Sequence, residues 1–187
     1  MVGMPARSAP WPVEKSEEAR LDLLARCATS RFARVRAAAA TDWLLPADIA
    51  AVLAGDRNPM VRRWLAGRCR HPDVLRQLAE QPARGVGKAL AANSCTPPDV
   101  LERLHVKPHH LARSWNATGP MLARLLDGAD HATRLALAEH CETPPETLAE
   151  LARSDAERDV IRAACAHRAL PVAVMWDLLP SSAGPPL

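Results

Sequence analysis

The nine residues TPPDVLERL (96–104) recur as TPPETLAEL (143–151), forty-seven positions later in the chain. Each copy has the pattern of a helix start, because threonine can cap, proline suits the first helical position and the acid three places on completes a capping box. Behind these starts, Leu101 and Leu148 belong to apolar stripes at helical spacing. A helix of about two turns is unstable alone in water. The repeat therefore predicts short helices that pack against neighbours.

Further copies of the phrase occur along the chain at a regular step. Aligning their equivalent apolar residues gives intervals of 26, 26, 21, 26 and 27 residues. An alanine-rich helical phrase such as VRAAAATD (35–42) or TRLALAEHC (133–141) precedes most copies. A constant step in the twenties indicates stacked units, and we expect five or six of them to share one continuous core. The aligned residues are Ile49, Leu75, Leu101, Leu122, Leu148 and Met175.

The unit V-R-x-A-x-A-x-N/H-x-x-T-P-P-E/D-x-L-x-x-L-A resembles the leucine-rich repeat variant family, most closely at 86–104 and 133–152. The resemblance covers residues 33–179 and implies a right-handed superhelix of alternating α- and 3₁₀-helices without strands. HEAT-like repeats are the nearest alternative, but their units are longer, at about 40 residues or more. We therefore predict an all-α protein, a right-handed α-solenoid of short α/3₁₀ repeats with no β-sheet.

The amino-acid composition agrees with short helices, and the two ends of the chain set the expected limits of the repeat domain. Aromatic residues are only 3% of the chain, and its 17 prolines fit helices only at their starts or in the turns between them. We expect a flexible arm over 1–17, the helical-repeat domain over 18–180 and a disordered tail over 181–187. Five cysteines without a CxxC motif indicate reduced thiols. With no signal-peptide pattern or membrane span, we expect a soluble, cytoplasmic protein of bacterial type.

The cysteines bear on a weaker alternative, an iron–sulfur or redox protein, because the family that the chain resembles includes an iron–sulfur protein. Cys69, Cys95 and Cys141 occupy one repeat position, which Trp43 takes in an earlier unit. That pattern favours a buried apolar position. Thiols one repeat apart, roughly 10 Å, are also too distant to share a cluster. The neighbouring His and Cys residues offer two ligands each, whereas structural zinc needs four. We therefore predict no metal and no cofactor.

An arginine also recurs once per unit, at Arg36, Arg62, Arg134 and Arg162. Acidic residues lie a few positions before most of these arginines. We expect each guanidinium to tie its unit to the loop of a neighbouring unit. Gly87 and Ala112 stand at the corresponding positions of the middle units, so this series should be interrupted there.

The distribution of charge and the absence of catalytic motifs indicate which functions the sequence favours. Residues 30–115 hold 14 Lys and Arg against 7 Asp and Glu, whereas residues 116–187 hold 6 against 10. No Gly-rich phosphate loop, G-x-S-x-G or H-E-x-x-H motif occurs, so we predict a protein without catalytic activity. Spacing alone does not separate it from HEAT-like DNA glycosylases, which hold a few Trp, Asp and Arg residues in a groove.

We predict a scaffold that binds another, acidic protein through a concave or basic surface, with no membrane partner. The alternative is a nucleic-acid-binding repeat protein that uses the same residues on phosphates. Aromatic support for the alternative is thin, because we expect Trp43, Trp64 and Trp115 to fill the core. The candidate contact residues are Arg63, Arg68, Arg70, Arg84, Lys88 and Arg113.

Overall fold

The computed structural model describes residues 13–81, 83–154 and 156–178, and these residues form thirteen helices and no β-strand. The predicted all-α class is therefore confirmed. Residues 1–12 of the predicted arm and the whole predicted tail lie outside the described residues, and 13–17 belong to the first helix. The helices are α1 Val13–Ala28, α2 Ala33–Ala40, α3 Ala47–Ala54, α4 Pro59–Arg68, α5 Pro72–Glu80, α6 Val86–Ala92, α7 Pro98–Leu101, α8 Pro108–Ala112, α9 Gly119–Arg124, α10 His131–Glu139, α11 Pro145–Ser154, α12 Arg158–Ala166 and α13 Val172–Leu178.

The helices pack in two rows, because most of them contact the helix two places along the chain as well as a sequence neighbour. The even row consists of α2, α4, α6, α8, α10 and α12, each packed on the next. In the odd row, α1, α3, α5 and α7 pack in the same way. None of the described helices combines the length and apolarity needed to cross a bilayer.

Prolines begin the helices, as the composition predicts. Pro59, Pro72, Pro98, Pro108 and Pro145 are the first residues of α4, α5, α7, α8 and α11. The proline ring fixes φ near its helical value, and its missing N–H has no partner to lose at that position. Proline therefore sets where these five helices start.

The predicted capping box is wrong. Helix α7 begins at Pro98 with Pro97 as its N-cap, one residue later than predicted, and no side chain caps it. The Thr96 hydroxyl instead donates to the carbonyl of Leu90 at 2.7 Å, and Thr143 donates to Leu137 at 2.6 Å. Each threonine ties the turn back to the preceding even helix, so it fixes the angle between the two helices of a unit.

Leu101 and Leu148, which we predicted at equivalent apolar positions, are both fully buried and belong to the same cluster. In five of the six aligned helices, the aligned residue donates its amide to the carbonyl four residues earlier, a bond that is typical of an α-helix rather than a 3₁₀-helix. The first unit differs by one residue: Ala50, not Ile49, donates to the helix-start carbonyl and is fully buried. Met175 has the expected backbone bond but remains 43% exposed.

The buried residues form two clusters rather than the continuous core that we expected. One extends from Leu24 to Val100 and the other from Leu101 to Val174, while the half-buried Leu104 packs against both. They meet at α7 and α8, which have only four and five residues. Such short helices offer too few apolar positions to bridge the two clusters.

The repeated arginines hold the loops that precede their own helices. The Nη1 groups of Arg36, Arg62 and Arg134 donate to the carbonyls of Ser30, Asp56 and Ala129. Arg36 also reaches the next such loop, where it pairs with Asp56.

The predicted fourth member of the arginine series is wrong. Val160 takes the buried position that Val61 and Thr133 hold before Arg62 and Arg134, so Ile161 stands at the arginine position. Arg162 is exposed. One residue along a helix turns a side chain by about 100°, and this rotation carries Arg162 away from the loop.

The Arg36–Asp56 pair predicts a pH-dependent stability. Hydrogen bonding from Arg36 holds the pKa of Asp56 below its usual value of 3.8. Because the folded pKa is lowered, the pair stabilises the protein fully above that usual value, and the stabilisation is lost as the pH falls from there through the lowered folded pKa. We expect Asp56→Asn to be clearly less stable than wild type at pH 6, and the difference to shrink towards pH 3. Urea unfolding at both pH values measures this. Asp48→Asn, at an exposed site on α3, serves as the control, and a gap that does not shrink would contradict the prediction.

Side chains in the turns after the even helices connect successive units. Each donates to a backbone carbonyl of the preceding unit, at 2.7–3.1 Å. We call this series the turn ladder. Asn93 is its most buried member, with its side-chain amide bound to both Ala66 and Cys69. The donors are His71, Asn93, Asn116, His140 and His167.

Candidate functional site

Charge is divided between the two rows in the N-terminal half of the protein. The segments ARVRAAAA, PMVRRWLAGR, VGKALAA and PHHLA form α2, α4, α6 and α8, and none contains Asp or Glu. The acids of this half lie elsewhere: Asp48, Asp73, Glu80 and Asp99 are on α3, α5 and α7. The even row therefore presents positive charge without interspersed carboxylates.

Arginine neutralises part of the acidity on the odd row. Arg76 forms ion pairs with Asp73 and, across to the next odd helix, with Asp99. Arg124 pairs with Glu102 in the same manner. These pairs are exposed and contribute little stability each. The helices α1, α3, α5 and α7 still hold eight Asp and Glu against four Lys and Arg, so the odd row stays acidic in this half.

Five of the six predicted contact residues belong to the even helices or to the turns and caps that end them, and all five are exposed. We call these residues the basic face. The sixth, Arg84, is also exposed, but it lies in the loop before α6 and lines a separate cleft. The basic face consists of Arg63, Arg68, Arg70, Lys88 and Arg113.

The electrostatics at His110 show that part of the basic face converges. Partial burial, together with the positive charges of Lys88 and Arg113 and of its neighbours His109 and Lys107, lowers the pKa of His110. Lys88 belongs to α6 and Arg113 ends α8, so residues of adjacent units act on one point. Their mutual repulsion favours an anionic partner that neutralises them.

The three tryptophans near these cations are exposed, which corrects the prediction that they fill the core. Trp43, Trp64 and Trp115 expose 53%, 50% and 75% of their surface. Trp64 lies on α4, and the other two lie in the turns that follow α2 and α8. The buried apolar positions of the described helices are instead mostly alanine, leucine and valine. The guanidinium of Arg70 lies 5.1 Å from the centroid of the Trp43 ring, within cation–π range.

The shared cysteine position is buried only in part, so the predicted apolar site is wrong for most of its members. Cys69 is buried, Cys95 is half-buried, and Cys141 and Trp43 are exposed. Burial raises the pKa of the Cys69 thiol, which disfavours the thiolate form that metals require. Only three residues, 69–71, separate α4 from α5, whereas five separate α6 from α7 and α10 from α11.

The structure brings together three residues that we did not select from the sequence. A ligand atom from each of His131, Glu157 and Asp159 lies within 4.8 Å of the others, and all three residues are exposed. His131 Nε2 contacts Asp159 at 3.2 Å. The residues come from successive even-row units, so only knowledge of the stacking could have revealed the cluster.

Comparisons of the chain with protein-family models, curated proteins and solved structures find no match. What the candidate site does must therefore be inferred from its own geometry and charge.

Proposed function

We propose that this chain is a helical-repeat scaffold of the leucine-rich repeat variant type, a right-handed solenoid without catalytic activity, whose basic face binds an acidic protein. One observation carries the proposal: four successive helices of one row lack carboxylates, while exposed indoles lie on that row and in its turns. Tryptophan and arginine are the residue types most enriched among those that dominate the energy of protein interfaces.

Exposed aliphatic side chains favour a protein over a nucleic acid as the partner. Val35, Leu44 and Met60 are exposed in the first two units, close in sequence to Trp43 and Trp64. Bases stack on aromatic rings but gain little from aliphatic chains, whereas protein interfaces bury both. An apolar surface mixed with cations suits an acidic amphipathic segment.

The polar groups with well-defined partners support a structural role rather than a catalytic one. In the turn ladder, His140 uses Nε2 to donate to Ser114 and Nδ1 to accept from the amide of Glu142. His167 uses both of its ring nitrogens in the same way. Imidazoles with a hydrogen bond at each ring nitrogen serve to join successive units. An iron–sulfur or redox protein therefore remains the weakest alternative.

Nucleic acid is the second candidate, because the exposed tryptophans supply the stacking groups that the sequence alone did not. Base stacking on an aromatic side chain contributes about 1–3 kcal/mol per base in single-strand binders. Trp64 and the nearby cations Arg63 and Arg68 offer such a platform on α4.

Charge reversal of the basic face tests the proposal. We expect Arg63→Glu with Lys88→Glu to lose the proteins that wild type retains in quantitative affinity purification, because it adds repulsion where a partner would be neutralised. The control, Arg158→Glu with Arg168→Glu, makes the same change in net charge at exposed positions in the C-terminal half and should retain them.

The same variants separate the two candidates. Fluorescence anisotropy with single-stranded oligonucleotides at 50 mM salt should show no binding by wild type if the partner is a protein. Binding that falls steeply with salt and is lost in the basic-face variant would instead establish the nucleic-acid function. Identical protein partners for all variants would contradict the proposal for the basic face.

A further inference from the structure

A cleft opens beside Gly87, where the series of repeated arginines is interrupted. It encloses about 360 Å³, at the lower end of the roughly 300–1,000 Å³ typical of small-ligand sites. Buried leucines form its floor, and arginines from two different segments line it with them. We call it the Gly87 cleft, and the residues used below are Leu78, Arg84, Gly87, Leu90, Arg103 and Leu104.

Glycine is required at position 87 by the packing of the next unit. A Cβ at Gly87 would come within 2.9 Å of Val106 Cγ1, closer than carbon atoms can approach. The arginine of the other units has no room here. The Gly87 cleft therefore lacks the guanidinium that binds the loop carbonyl in other units of this chain.

Two related clefts in other units show what the missing arginine changes. The cleft that contains Arg36 also contains the carboxylate of Asp56, and the cleft that contains Arg134 also contains that of Glu150. Each of these clefts therefore holds charges of both signs in its own wall.

Among the residues that the structure describes, those lining the Gly87 cleft include no carboxylate, and its charged residues, Arg84 and Arg103, are both cationic. Neither arginine forms an ion pair within the described part of the chain. The nearby Asp99 is paired with Arg76, and Glu80, which shares a smaller cleft with Arg103, does not reach it. Two guanidiniums beside an apolar floor suit a carboxylate joined to an aliphatic chain.

We propose that the Gly87 cleft binds an aliphatic carboxylate, with the hydrocarbon on Leu78, Leu90 and Leu104 and the anion between Arg84 and Arg103. A medium-chain fatty acid and a peptide C-terminus that ends in an aliphatic residue share this chemistry. The inference is independent of the basic face, since the cleft contains neither Arg63 nor Lys88.

The test is a titration of the full ¹⁵N-labelled chain, followed by amide chemical shifts. The probes are octanoate and an acetylated tetrapeptide with a free C-terminal leucine, each compared with its uncharged analogue, octan-1-ol or the peptide amide. We expect at least one carboxylate to cause saturable shifts at the amides of Gly87, Leu90 and Leu104. Its uncharged analogue should bind with an affinity at least about tenfold lower. Saturation by octanoate alone identifies a lipid-type ligand, and saturation by the peptide alone identifies a chain terminus.

Two charge-removal variants decide whether the arginines act as proposed. Arg84→Gln with Arg103→Gln should weaken binding about tenfold or more, because it removes both charge-assisted contacts. Arg158→Gln with Arg168→Gln removes the same charge from exposed positions outside both the cleft and the basic face and should leave affinity unchanged. Circular dichroism confirms that both variants are folded. The proposal is overturned if neither carboxylate saturates these amides, if the uncharged analogues bind equally, or if the cleft variant keeps wild-type affinity.

Discussion

Leu101→Asp should leave the chain largely unfolded at 25 °C, with most of its helical circular dichroism lost. Leu101 is fully buried where the two apolar clusters meet. Truncating a buried leucine to alanine alone costs about 2–5 kcal/mol, and an unpaired buried carboxylate adds several more. Together these approach the roughly 5–15 kcal/mol that a folded domain possesses.

A graded series makes this result measurable even if the aspartate variant does not purify. Leu101→Ala should remain folded but lose about 2–5 kcal/mol of unfolding free energy in urea titrations. Val52→Asp is the control, because Val52 lies on an odd-row helix and is 62% exposed, and it should melt like wild type. A Leu101→Asp protein that stays helical and melts cooperatively would show that the repeat register is wrong.

Asn93→Leu should be the most destabilising change at a polar position, at about 2–5 kcal/mol. The Asn93 side chain is buried and donates to the carbonyls of Ala66 and Cys69, at 2.8 and 2.9 Å. Its oxygen also accepts from the amide of Cys95. Leucine has a similar shape but leaves these three backbone groups without partners, and water does not reach a site so enclosed.

Asn116 provides the matched comparison, because it makes equivalent bonds at a half-buried site. Its amide donates to the carbonyls of Ser94 and Thr96. We expect Asn116→Leu to cost about 1 kcal/mol, since water can replace the lost donor there. Thermal and urea unfolding of both variants measure the difference. Equal losses of unfolding free energy would show that burial does not increase the contribution of the turn ladder to stability.

The residues of the turn ladder are part of the repeated sequence pattern, but the pattern does not show what they bind. Asn or His at a fixed place before T-P-P belongs to the repeated unit, but a spacing within one unit does not show a bond to another. His140 and Asn93 lie 26 and 27 residues from the carbonyls of Ser114 and Ala66 that they bind. Those bonds exist only because stacking places successive turns side by side.

The sequence by itself determined that the protein is all-α, that proline begins several of its helices and that Leu101 and Leu148 are buried. These properties depend on neighbouring residues in the chain: proline fixes the backbone locally, and apolar spacing over a few residues selects one helical face. Only the tertiary structure decided that Trp64 is exposed, that Arg162 lies outside the arginine series and that carboxylates are absent from the even row between α2 and α8. Exposure and charge clustering depend on which helices adjoin one another, and a single unit, which cannot bury its own apolar face, does not specify that.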